Sequence, residues 1–106
     1  MPSNLTAKTF AEHLNTKFSV RAEAPRPVEL ELVEVKEYNA RENEHGGMER
    51  FSLFLLGPGD IHLPQHTYTL EHPSMGELEL FVVPVGRDDR GFRYEVVFNY
   101  FRERKP

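Results

Sequence analysis

Apolar residues recur at every second position over several stretches of this chain, which is the period of a β-strand with one face turned to a core. Phe51, Leu53 and Leu55 alternate with other residues over 50–56, and Tyr68 and Leu70 do so over 67–71. Leu78 and Leu80 open the stretch 77–85, and Phe92, Tyr94, Val96, Phe98 and Tyr100 occupy all the even positions of 92–101. Two further strands are predicted over 17–20 and 28–38. In the second, Val28, Leu30 and Leu32 share one face, but Val33 and Val35 then take the odd positions, as a β-bulge would require. The run Phe81, Val82, Val83 is continuously apolar, so that strand is expected to be covered on both faces at its end.

Breakers separate these stretches. Ala24-Pro25-Arg26-Pro27 interrupts pairing, because proline donates nothing to a ladder. Residues 39–48 (NARENEHGGM) have the composition of a long hairpin loop. Gly57-Pro58-Gly59-Asp60 is expected to end a strand through positive φ and a fixed proline φ. His72-Pro73-Ser74-Met75-Gly76 and Arg87-Asp88-Asp89-Arg90-Gly91 read as turns. One helix is predicted over 6–14. Thr6 is its N-cap, Leu5 packs on Phe10 as a hydrophobic staple, Phe10 and Leu14 share a face, and Asn15 closes the C-terminus. Six strands with no helix after the first exclude a βαβ pattern and predict a mainly β fold: a small antiparallel barrel or rolled sheet, with the helix across an open end.

With 106 residues the chain has the length of one domain, expected to span 1–106, and folding buries roughly 65% of the extended surface. Eight Phe and four Tyr must then supply much of one core. A formal charge of -4 opposes nucleic-acid binding, which needs a basic stripe to replace phosphate counterions. Arg102, Arg104 and Lys105 cluster at the C-terminus but read as a solvated tail. The negative charges are too evenly scattered for an inhibitor that mimics a polyanion. Without cysteine, disulfides, thiolate metal sites and cysteine nucleophiles are excluded. No apolar run reaches membrane-spanning length and no leader pattern is present, so a cytoplasmic location without membrane contact is expected.

His62, His66, Glu71 and His72 form the one cluster with metal-ligand chemistry. With Gly57 and Gly76 their order approaches the cupin pattern. Cupins, however, set their first two histidines two apart and use a third on a later strand, whereas His62 and His66 are four apart and nothing after His72 can serve. Pro64 also interrupts the strand that would align them. His62, His66 and His72 are therefore metal candidates only in a minor reading; no metal or cofactor is expected, and the histidines are expected to be solvated or bonded to backbone. His72 precedes Pro73, which favours extended backbone and makes it a cap on the following turn. Ser52, Thr69 and Ser74 lack a nucleophile elbow, and the glycine pairs 46–47 and 57–59 lack the lysine and helix that cradle phosphate. No catalytic residue is nominated. Asn99, inside an aromatic strand, is expected either to make a structural hydrogen bond or to contact a partner.

The set of motifs F-S-L (51–53), G-P (57–58), L-P-Q (63–65), Y-x-L-E-H-P (68–73), G-x-L-x-L-F-x-V-P-V (76–85) and Y-E-x-x-F-N (94–99) covers nearly the whole chain. Phe10, His13, Leu14 and Asn15 add an early helical step. As a set they resemble a family of short bacterial proteins known only as a domain of unknown function. The resemblance implies small, cysteine-poor bacterial proteins, some beside genes for phage-tail-like proteins, hence a structural or accessory role and no activity. Many relatives have a small residue after L-P-Q, where this chain has His66, which argues further against a metal.

These readings converge on a non-catalytic module that binds a protein partner or a second copy of itself. Its contact surface would be an exposed strand edge or the loop 57–65, with Asp60, His62, Gln65, His66 and Asn99 as candidate contact residues. The alternative is a barrel that binds a small ligand or metal at the mouth near His62, His66 and Tyr68, with hydrolase or isomerase activity.

Overall fold

The computed structural model describes residues 6–21, 27–38 and 48–101. Six strands follow one helix in chain order: α1 (Ala7–Ala11), β1 (Lys17–Arg21), β2 (Val28–Glu37), β3 (Met48–Gly57), β4 (His66–His72), β5 (Gly76–Asp88) and β6 (Gly91–Phe101). All pairings are antiparallel, and the sheet closes on itself in the order β1-β2-β3-β6-β5-β4. Strands β1 to β3 and β4 to β6 are two meanders. The return of β4 beside β1 makes a Greek key of the first four strands.

Alternation sets which side chains turn inward. Phe18, Leu30, Leu32, Phe51, Leu53, Leu55, Leu70, Leu78, Val82, Tyr94 and Val96 are buried in one continuous core. The phase change in β2 is a register shift between Leu32 and Glu34, so the bulge expected from Val33 and Val35 is present. A second shift, between Pro84 and Gly86, bends β5. The change of partner in β5 comes between Val82 and Val83. Its first half pairs with β4 over 76–82, and its second half pairs with β6 over 83–88.

The expectation that β5 is covered on both faces is not met, since Phe81 and Val85 are each 49% exposed. A single closed sheet buries only its inner face, and no second layer lies over the outer one among the described residues. The strand also runs on to Asp88, leaving a turn of Asp89 and Arg90 that is shorter than the sequence suggests.

One mouth of the ring is covered by α1. Thr6 caps the helix by accepting from the Thr9 amide at 3.2 Å, and Asn15 ends the following turns with φ 69°. Phe10 is fully buried and lies 6.1 Å from Phe51 and 5.4 Å from Phe98, ring centre to ring centre; Phe51 and Phe98 stack at 4.5 Å. Leu14 does not share this face. The helix stops at Ala11, and the looser turns beyond it leave Leu14 37% exposed. The Leu5 staple, the loop 39–47 and the basic tail lie outside the described residues.

The opposite mouth is crossed by residues 58–65, which bury Ile61 and Leu63. Glycine is needed here for space. A Cβ on Gly57 would stand 2.7 Å from Leu30 Cδ2 and 3.1 Å from Tyr94, and one on Gly91 would stand 2.0 Å from the Gly57 carbonyl oxygen. Among the described residues the positive-φ glycines are Gly76 at 78° and Gly91 at 141°, so the positive φ expected in the Gly57–Asp60 cluster is not found there.

Gly91→Ala combines a backbone collision with a φ that L-residues avoid. It should cost about 3 kcal/mol or more, read as a lower urea midpoint at unchanged slope.

Candidate functional site

The crossing segment 58–65 has an anchored underside and a polar top. Ile61 and Leu63 insert into the mouth, and the Leu63 amide donates to the Tyr94 hydroxyl at 3.0 Å. Tyr68 donates to the Pro64 carbonyl at 2.6 Å. Burial raises the pKa of both phenols above their ordinary value; for Tyr68 the neighbouring Tyr94 adds to this, and for Tyr94 the Leu63 amide opposes it. Both therefore stay protonated, able to donate, throughout the neutral range. Asp60, His62, Gln65 and His66 all project outward from this base. Four of the five sequence-nominated contact residues thus lie exposed within the stretch 60–66.

The histidines do not converge. His62, in the crossing segment, packs edge-on against Phe92 at 5.1 Å, while His66, at the start of β4, packs edge-on against Tyr68 at 5.4 Å. His66 and His72 are the two ends of β4, about 20 Å apart along an extended strand. No three His, Asp or Glu side chains gather to hold a metal among the described residues.

His72 belongs to the helix-covered mouth. Its Nδ1 accepts from the amides of Ser74 at 3.0 Å and Met75 at 3.2 Å, the turn cap expected of a residue before Pro73. With Nδ1 an acceptor, the proton sits on Nε2, which donates to Thr16 Oγ1 at 3.0 Å; Thr16 in turn donates to the His13 carbonyl at 2.6 Å. The His13 ring meets His72 edge-on at 4.8 Å, and Phe18 lies 4.5 Å away. Burial, and then His13, hold the His72 pKa below its ordinary value of 6.5. This network ties the helix exit to the β4–β5 turn. Only the His-Pro step announces it in sequence, because Thr16 is 56 residues from its partner.

Asn99 stands apart from the crossing segment and is not the interior amide its aromatic neighbours suggest. Odd positions of β6 face outward, and Asn99 is exposed opposite Arg50. Tyr38, Arg50, Val97, Phe98 and Asn99 line an open groove of about 320 Å³. The Arg50 Nε is buried with no acceptor among the described residues, a feature the sequence did not flag. Ser52 is buried and donates to the Glu95 carboxylate at 2.7 Å. Arg21 bridges Glu71 and Glu77, which raises its pKa, first through Glu77. Both carboxylates of that cluster are therefore engaged in an exposed structural contact.

These features define a small antiparallel β-ring with both mouths covered and a polar, anchored loop on one of them. The chain belongs to the family described as a domain of unknown function (DUF6916), whose model matches residues 5–98. This agrees with the unknown-function family that the motifs resemble. No curated protein and no solved structure matches the chain. No helix among the described residues is long and apolar enough to cross a membrane.

Two outcomes follow from this geometry. The folded-state pKa of His72 is depressed, so the unfolded chain binds the proton more tightly. The His72 contribution is fully present above pH 6.5 and is lost as pH falls below that value toward the folded-state pKa. His72→Asn keeps an acceptor for the turn amides and should flatten this part of the slope of unfolding free energy against pH, measured by chemical denaturation across pH 5 to 7.5. Tyr94→Phe leaves the Leu63 amide without its partner. It should cost about 1–3 kcal/mol and speed hydrogen exchange over 61–65 more than elsewhere.

Proposed function

We propose that this protein is a binding or assembly module whose partner is another protein, engaged through the crossing segment 58–65 and the adjacent outer face of β5. The supporting observation is the two-sided construction of that segment. Ile61, Leu63 and the Tyr94 bond fix its backbone from below, while Asp60, His62, Gln65 and His66 face solvent together. A loop held this way loses little conformational entropy on binding, which is the economy of a preorganised contact surface. Phe81 and Val85, exposed on β5, extend the surface with apolar area whose burial would be worth about 1 kcal/mol or more for each side chain.

The inner face is filled by side chains and both mouths are covered, which supports a surface role over one for a hollow that admits a small ligand. An accessory part in a phage-tail-like assembly, as the motif resemblance implies, is compatible with this reading. The experiment is co-purification of a tagged copy with its native companions, compared with the double variant His62→Ala/Gln65→Ala and with Phe81→Glu. A stoichiometric companion should be retained by the wild type and reduced at least tenfold by either variant, with circular dichroism unchanged. A companion held equally by all three proteins would reject this surface.

A further inference from the structure

The seams of the ring are unequal in length. Strand β6 pairs with β3 along its whole length, from Gly57 opposite Phe92 to Met48 opposite Phe101. On its other side it pairs with β5 only as far as Val83 opposite Glu95. From Val96 to Phe101 no described strand pairs with that second side, since the β5–β6 ladder ends at Val83 and residues 76–82 of β5 pair with β4 alone. Residues 96–101 therefore present a strand edge inside an otherwise closed sheet, and an unpaired edge is a template for another strand.

The described side chains on this edge lack the usual protection. Val97, at its centre, is 61% exposed, the highest exposure among the large apolar residues described, and Asn99, the next outward residue, is uncharged. No lysine, glutamate or proline lies within 96–101 to discourage pairing.

We infer that this edge is a homodimer interface, in which β6 of one copy pairs antiparallel with β6 of a second copy about a two-fold axis at Phe98. This rests on the broader reading of the protein as a protein-binding module and names one partner for it. The choice of a second copy follows from the edge itself. A two-fold perpendicular to the sheet keeps inner faces together and sets Val97 of each copy opposite Asn99 of the other, so an apolar residue meets a neutral amide twice and no like charges are opposed. Although the chain carries a net charge of -4, this segment carries none, so it is a place where two copies can approach without local repulsion. The groove lined by Tyr38, Arg50, Val97, Phe98 and Asn99 lies beside the new seam. A contact of five or so residues on each strand is small, so the dimer should be reversible and dependent on concentration.

Sedimentation velocity over a roughly hundredfold concentration range should show monomer passing to dimer. Val97→Lys should move that transition at least tenfold higher in concentration, and hydrogen exchange should show protection of amides in 96–101 that rises with concentration in the wild type. The native chain has no cysteine, so Val97→Cys/Asn99→Cys should give a covalent dimer on mild oxidation, as directly opposed positions allow, while neither single variant does so efficiently. A wild type that stays monomeric throughout, a dimer indifferent to Val97→Lys, or a double-cysteine variant no more cross-linked than the singles would overturn the inference. If Val97→Lys fails to fold, the wild-type exchange and the cysteine pair still decide it. None of these failures touches co-purification through the crossing segment, which depends on His62, Gln65 and Phe81.

Discussion

Two seams between distant parts of the chain, β3 with β6 and β1 with β4, turn a pair of meanders into one ring. Everything else in the structure depends on that closure. Neither meander alone can bury its apolar face, because three strands offer a surface with nothing opposite it. Joined, they place the inward residues of all six strands around one core, and a chain of this length supports only one. The cost is that both seams close long loops, so the ring is slow to assemble in principle and rests on contacts remote in sequence.

Closure leaves two open mouths, and the chain covers them by different means. At one, α1 is too short to be stable alone and is held by the packing of Phe10 against Phe51 and Phe98, with the His72–Thr16–His13 chain fastening its exit. At the other, a segment without regular structure is held by two buried side chains and two phenol hydrogen bonds. The second arrangement leaves polar side chains exposed on an anchored base, which is the support for the contact surface proposed there. The first is spent on stability, and His72 couples that stability to pH.

The bend in β5 shows how a single local device has two consequences. Proline 84 cannot donate to the ladder, and the register shift beside it falls just past the point, between Val82 and Val83, where pairing with β4 gives way to pairing with β6. That exchange allows the ring to close with few strands. Among the described residues it also leaves one side of β6 without a partner strand beyond Glu95, and Val97 and Phe81 on an outer face with no covering layer. An apolar outer patch beside an unpaired edge is the combination that natural sheets normally guard against.

By itself the sequence determined the strands, their inward faces, the β2 bulge, the N-cap at Thr6 and the turn cap at His72, because each depends on residues within a few positions of one another. Period, cap and turn chemistry are local properties, and local physics can be read along the chain. Only the tertiary structure decided that Asn99 faces solvent opposite Arg50, that Phe81 is bare, that Gly57 and Gly91 are required by a close approach, and that His62, His66 and His72 do not meet. Those outcomes are set by which strands become neighbours and where a ladder stops, and that choice is made by the burial of one shared core.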